Sequence, residues 1–261
     1  MKYLRVYKTL LSLNFAQLSA YRGAFLNSSL NTIIWGSFSI IIIFLLTSRT
    51  SSIYNWTASE LYILAGLYNI VIGLFHMLFS RNFERFSRVI HLGQLDTILI
   101  KPLDSQFLLS FWFINYTSLI RILLGVGTIV FIFITTDLSF NPITLVPFML
   151  LCVLSLTMLY SIWFIISTIL IWFTNLTNLV DLLYEVNAVA RFPQEMYKGF
   201  GQTVIYFLFP LTILLTTPAK SLLQRINVPD ILTLLSLSLG LLFLSRIFWK
   251  FGLRYYNSAS G

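Results

Sequence analysis

Long apolar runs recur along this chain from residue 25 to residue 249, separated by short segments where charged and turn-forming residues gather. The runs at 25–47, 61–79, 144–167 and 231–249 are each long enough to cross about 30 Å of hydrocarbon at about 1.5 Å per residue, and a third span lies within 107–136, a stretch longer than one crossing requires. Leu, Ile and Phe each favour insertion by roughly 0.3–0.6 kcal/mol at a helix centre, so a run such as IIIIFLL inserts without help. Between residues 144 and 217 the pattern has two solutions. Either one tilted helix extends to Phe173 and a fifth span follows over 203–217, interrupted by Pro210, or the fourth span ends near Ser167 and a more polar fifth one covers 169–190. Both solutions predict six crossings in an all-α membrane protein forming a single domain over 1–261.

The amphipathic period is different at the amino end. Over 1–22, Lys2, Arg5, Ser12 and Ser19 share one helical face and Leu4, Tyr7, Leu11, Phe15 and Leu18 the other, which predicts a helix lying in the membrane interface. A similar reading holds after the second span, where Arg81, Arg85 and Arg88 follow helical spacing opposite Phe83, Phe86 and Ile90. A short helix parallel to the membrane is expected there. The polar stretch 48–60 and the segment from 137 to 142 read as loops.

Composition strengthens the membrane reading: 57% of the residues are hydrophobic and 10% are charged, too apolar a balance for a soluble surface. The formal charge of +8 does not indicate nucleic acid, because the cations sit in the short segments between spans, where topology accounts for them. Four Lys or Arg residues fall in the amino-terminal segment, four after the second span and three at the carboxy end, against one and none in the two early alternating loops. Both termini are therefore expected on the cytoplasmic side of a cell membrane. Lys220 and Arg225 fall on the outer side and break the pattern.

The chain holds little chemistry of its own. There is no GxxxxGK[ST] loop to cradle nucleotide phosphates, so any ATP and Mg would be handled by a partner. His76, His91 and Cys152 are too few for a tetrahedral zinc site, and no Gly-x-Ser-x-Gly or His-Glu-x-x-His pattern suggests a hydrolase. His76 closes the second span and reads as interfacial. Arg121 lies inside the third run, where a midplane guanidinium costs about 2.5–3.5 kcal/mol, so the span is expected to shift outward with Arg121 snorkelling to the inner surface. Asp181 and Glu185, four residues apart, share a helical face and could line a polar pathway, bind a cation or relay protons.

Two stretches carry a family resemblance. The loop GQLDTILIKPLDSQ places Gly93, Leu95, Asp96, Leu99, Pro102 and Leu103 as in the bacterial six-span permeases of type 2 ABC exporters. The stretch 191–223 resembles the same family's proline-marked outer segment at Arg191, Phe192, Pro193, Tyr197, Pro210, Pro218, Ala219, Leu222 and Leu223. It departs from that pattern at Gln194-Glu195-Met196-Tyr197-Lys198, where the family has an apolar residue and Tyr-Pro.

The resemblance implies a non-catalytic permease that pairs with an identical or related permease and with two ATPase subunits. It implies a cytoplasmic coupling helix within 81–104, with Arg81, Arg85 and Arg88 available to acidic groups of the ATPase, and a re-entrant outer segment over 193–220. It favours the fifth span at 169–190. The cargo would be hydrophobic or amphipathic. The rival reading is an ion-coupled carrier working through Asp181 and Glu185.

Overall fold

The computed structural model describes residues 2–50, 52–136, 138–139, 141–174, 176, 178–197 and 202–256, with side chains for all of these except 2, 17–20 and 202–209. The chain forms an α-helical bundle in which five stretches, Arg22–Thr47, Ala58–His91, Ser118–Thr135, Pro142–Ile171 and Val228–Tyr255, are long and apolar enough to cross a membrane. It is a multi-span membrane protein. α1 (Lys2–Ala20) and α2 (Arg22–Thr47) meet at Tyr21. The side of α1 bearing Tyr3, Tyr7 and Phe15 docks edge-on against Phe107, Phe111 and Tyr116, so this helix is clamped to the segment before the third span.

The polar stretch after α2 folds into a hairpin of β1 (Ser52–Ile53) and β2 (Trp56–Thr57), with Tyr54 and Asn55 at φ 49° and 65° forming its two-residue turn. Thr57 then caps α3 (Ala58–Phe75) in a reciprocal box with Glu60. α3 is the buried axle of the bundle: Leu64, Ala65, Leu67, Val71 and Phe75 have no exposed surface. By contrast α2 turns Leu26, Leu30, Ile34, Ile41 and Leu45 outward, as a lipid-facing helix does.

The expected interfacial helix after the second span is not a separate element. α3 runs through a π-helical turn, His76–Ser80, directly into α4 (Arg81–His91), making one 34-residue rod. The change from apolar to charged composition at Arg81 suggests an end, but the backbone hydrogen bonds continue through the wider turn. The apolar face was placed correctly, with Phe83, Phe86 and Ile90 buried against the bundle.

The third run, expected as one span over 107–136, is divided. α6 (Ser105–Ser110) and α7 (Ser118–Thr135) flank a break stitched by the buried Asn82, which donates to the Phe113 carbonyl at 2.8 Å and accepts from the N–H groups of Trp112 and Phe113 at 2.9 and 2.8 Å. Between the rod and α6, the four-residue α5 (Asp96–Leu99) follows a tight turn.

α8 (Leu145–Thr168) is the expected fourth span with almost the expected bounds. The fifth, expected over 169–190, is not one helix among the described residues: a 3-10 turn at Ile169–Ile171 is followed by α9 (Leu179–Asn187) and another 3-10 turn at Ala188–Arg191, and residues 175 and 177 lie outside the described residues. Nine residues of helix reach only about 14 Å, under half of the hydrocarbon thickness.

α10 (Gln202–Leu222) contains both Pro210 and Pro218, and α11 (Val228–Tyr255) packs along α8. Residues 137 and 140 of the expected 137–142 loop, and 198–201 within the expected 193–220 segment, lie outside the described residues.

Candidate functional site

Polar residues along the α3–α4 rod face a cavity of about 640 Å³, bounded by α2, α7 and α9. The rod contributes Tyr68, His76, Arg81 and Glu84, α7 contributes Arg121, and α9 with its following turn contributes Asp181, Tyr184, Glu185, Asn187 and Arg191. Arg81, Arg121, Asp181, Glu185 and Arg191 were singled out in the sequence for unrelated reasons. The fold places all five around one cavity.

Arg121 does not snorkel. The break at 111–117 puts it in the first turn of α7 and leaves it 7% exposed, with Nε donating to Asn69 Oδ1 at 3.1 Å. Asn69 donates in turn to the Gly36 carbonyl at 3.1 Å and to Ser39 Oγ at 2.8 Å, so one buried amide ties α2, α3 and α7 together. The guanidiniums of Arg121 and Arg191 lie 5.2 and 5.1 Å from the centre of the same Tyr68 ring, and Arg191 also sits 5.7 Å from that of Phe38. Each such contact supplies about 0.5–2 kcal/mol toward the cost of desolvating the cation.

The far end of the cavity has the opposite character. Glu84 accepts from the Tyr184 hydroxyl at 2.8 Å, and Asp181 and Glu185 stand exposed on the same side. His76, its ring centre 5.4 Å from that of Tyr184 in an edge-to-face contact, belongs to the cavity wall rather than to an interface.

The segment 81–104 has an inner and an outer side. The rod ends in a Schellman turn: Gly93 at φ 63° donates to Ile90 O at 3.0 Å, and Gln94 donates to Val89 O at 2.8 Å. Leu95 and Ile98 anchor inward, whereas Leu92, Leu99 and Pro102 face out and Ile100 is 83% exposed. Arg85 and Lys101 both lie over the Trp112 ring, at 4.6 and 4.5 Å. Arg81 lines the cavity, while Arg88 is exposed.

Asp104 caps α6 through Phe107 N–H at 3.0 Å and pairs with Arg246 of α11, which also reaches Gln106 Oε1 at 3.0 Å. Burial alone would raise the Asp104 pKa, but the bonds from Arg246 and Phe107 hold it below the ordinary carboxylate value. Trp249 Nε1 adds a bond to Ser105 Oγ at 3.0 Å. The segment is thus rigidly braced to the last helix, with its apolar outer side uncovered.

At the other end of the rod, the two cations that break the charge pattern are paired. Lys220 lies 3.0 Å from Glu195 and 3.5 Å from Asp230, and Arg225 lies 2.7 Å from the buried Glu60. Glu195 also accepts from Trp56 Nε1 at 3.1 Å. Pro193 is buried, and Tyr197 donates its hydroxyl to Val189 O at 2.8 Å.

The residues missed in the sequence are neutral: Asn69, Asn82, Tyr68, Tyr184 and Asn187. An Asn inside an apolar run is the one signal that was available, because burying an amide in hydrocarbon requires partners. Among the described residues no group of three or more His, Cys, Asp and Glu is placed to hold a metal ion. The family model described as "ABC-2 family transporter protein" matches residues 33–260. No curated protein and no solved structure matches the chain.

Proposed function

Since the chain belongs to the ABC-2 family of transporter proteins, we propose that it is the permease subunit of an ATP-driven exporter, working with two ATPase subunits and a second permease. The observation that carries this reading is the continuity of the 34-residue rod. One end of it bears the uncovered Leu92, Leu99, Ile100 and Pro102, and farther along it Tyr68, His76, Arg81 and Glu84 line the polar cavity.

A push on residues 92–103 enters the rod through the Schellman turn at Gly93 and passes along one continuous helix, the π-helical turn included, to the cavity-lining residues. The braces from Asp104 to Arg246 and from Ser105 to Trp249 pass the same push to α11. In this reading 92–103 is the coupling segment and faces the cytoplasm with both termini. The ion pairs at the opposite end close the outer side, and 193–220 forms a re-entrant outer element. ATP and Mg bind the partner, and the cargo, hydrophobic or amphipathic, passes between paired permeases.

The ion-coupled alternative draws on Asp181 and Glu185, both exposed on the cavity wall. Copurification distinguishes the two. An ATPase encoded beside this chain is expected to copurify with it in mild detergent and to be lost with Ile100→Asp, which charges an exposed residue without touching the core. If the ATPase fails to copurify with the unaltered chain, and a proton gradient alone drives transport, the exporter reading is wrong.

A further inference from the structure

We infer that the end of the cavity between Arg121 and Arg191 is a receptor for an anionic group, a phosphate or carboxylate, carried by the transported molecule. This rests on the permease reading and names the chemical class of the cargo.

Both arginines are nine-tenths buried or more, at 7% and 9% exposed, and neither takes part in an ion pair among the described residues. Arg121 is held by a neutral amide and leans on an aromatic ring, which positions a cation but leaves its charge uncompensated. Arg191 Nε and Asn187 Nδ2 are buried donors without hydrogen-bond partners, and both residues line the cavity. Unpaired donors at this burial are uncommon in native proteins, and two side by side with a second cation across Tyr68 form the donor set that an oxyanion would satisfy.

The acidic groups do not compete for these cations. Glu84 lies sixteen positions from Tyr68 along the rod, about 24 Å of rise, with Arg81 three residues before it, and Asp181 and Glu185 lie ten and six positions before Arg191; among the described residues none of the three carboxylates forms an ion pair with Arg121 or Arg191. The two buried, unpaired guanidiniums attract an anion to the part of the cavity they line. Trp35 and Phe38 form the apolar wall on α2 beside the arginines, which suits the hydrocarbon part of an amphiphile.

The test uses the purified full chain in uncharged detergent. Binding of dodecyl phosphate, dodecanol and dodecyltrimethylammonium is measured by calorimetry for the unaltered chain, Arg191→Gln and Arg191→Lys. Dodecyl phosphate is expected to bind at least tenfold more tightly than either of the others. Arg191→Gln should remove that preference and Arg191→Lys should keep part of it. Competition by inorganic phosphate would support the site with a free anion as ligand, and tight dodecyl phosphate binding without such competition would support it with a lipid-like ligand. Equal affinity for all three amphiphiles, or an Arg191→Gln variant that folds with unchanged melting temperature and keeps the preference, would overturn the inference. No ATPase is present, so failure here leaves the permease reading intact, and failure of copurification leaves the binding result intact.

Discussion

The tightest packing in the bundle is between α3 and α7, where Gly66 faces Gly125. A Cβ at Gly125 would lie 2.4 Å from the Gly66 carbonyl oxygen, 2.8 Å from Ile70 Cγ1 and 3.0 Å from the Ile70 nitrogen. Two of those three neighbours are backbone and cannot rotate away, so Gly125→Ala forces the helices apart locally by about 1 Å to restore ordinary contact. Overpacking of this kind costs about 1–3 kcal/mol. At about 2–4 °C per kcal/mol for a chain of this size, the melting temperature should fall by roughly 2–12 °C. Gly127, two residues on, has nothing within 4 Å of its ideal Cβ, so Gly127→Ala should melt no lower than the unaltered protein and gains about 0.5–1 kcal/mol of helix preference. Tryptophan fluorescence during a thermal ramp in detergent, at one fixed scan rate, measures both variants. If Gly125→Ala melts together with Gly127→Ala, the close approach of α3 and α7 is wrong, and with it the placement of Arg121 against Asn69.

Three further outcomes follow from named contacts. Asn82→Ala removes the side chain that bonds the backbone of Trp112 and Phe113, and should lower stability by about 1–3 kcal/mol in the same thermal assay, because three partly buried backbone groups lose their partners. Asn69→Leu leaves the buried Arg121 Nε without an acceptor and should cost about 2–4 kcal/mol, whereas Asn69→Asp, which keeps an acceptor, should cost less. Asp104 has a depressed pKa, so its stabilising contribution is fully present above its ordinary value of 3.8 and is lost as pH falls through its lower folded value. The unaltered protein should therefore lose more thermal stability than Asp104→Asn between about pH 5 and about pH 3, and parallel pH profiles would show that the Arg246 pair contributes nothing.

The long helices were legible because stretches of about twenty predominantly apolar residues permit few alternatives, and α2, α8 and α11 cover three such stretches. The burial of Phe83, Phe86 and Ile90 was legible from helical spacing alone. What hydropathy could not read was continuity. The rod passes through Arg81 because backbone hydrogen bonding ignores the change in side-chain polarity, and the third run breaks at 111–117 because Asn82, some thirty residues earlier in the chain, supplies the missing backbone partners. At the cavity, Arg121, Asp181 and Glu185 could be flagged as costly in hydrocarbon, but only the fold shows that Arg191 shares the Tyr68 ring with Arg121. Lys220 and Arg225 oppose the orientation rule only until Glu195, Asp230 and Glu60 are seen beside them.

In the proposed mechanism, force enters the bundle through residues 92–103. ATP hydrolysis by the partner ATPase, reconstituted with this chain in lipid vesicles, measures that directly. The unaltered chain should stimulate hydrolysis, and Ile100→Asp, altering a residue that is 83% exposed, should abolish the stimulation while leaving the melting temperature of the permease unchanged. Equal stimulation by the unaltered chain and by Ile100→Asp would contradict the assignment of this segment as the point of coupling.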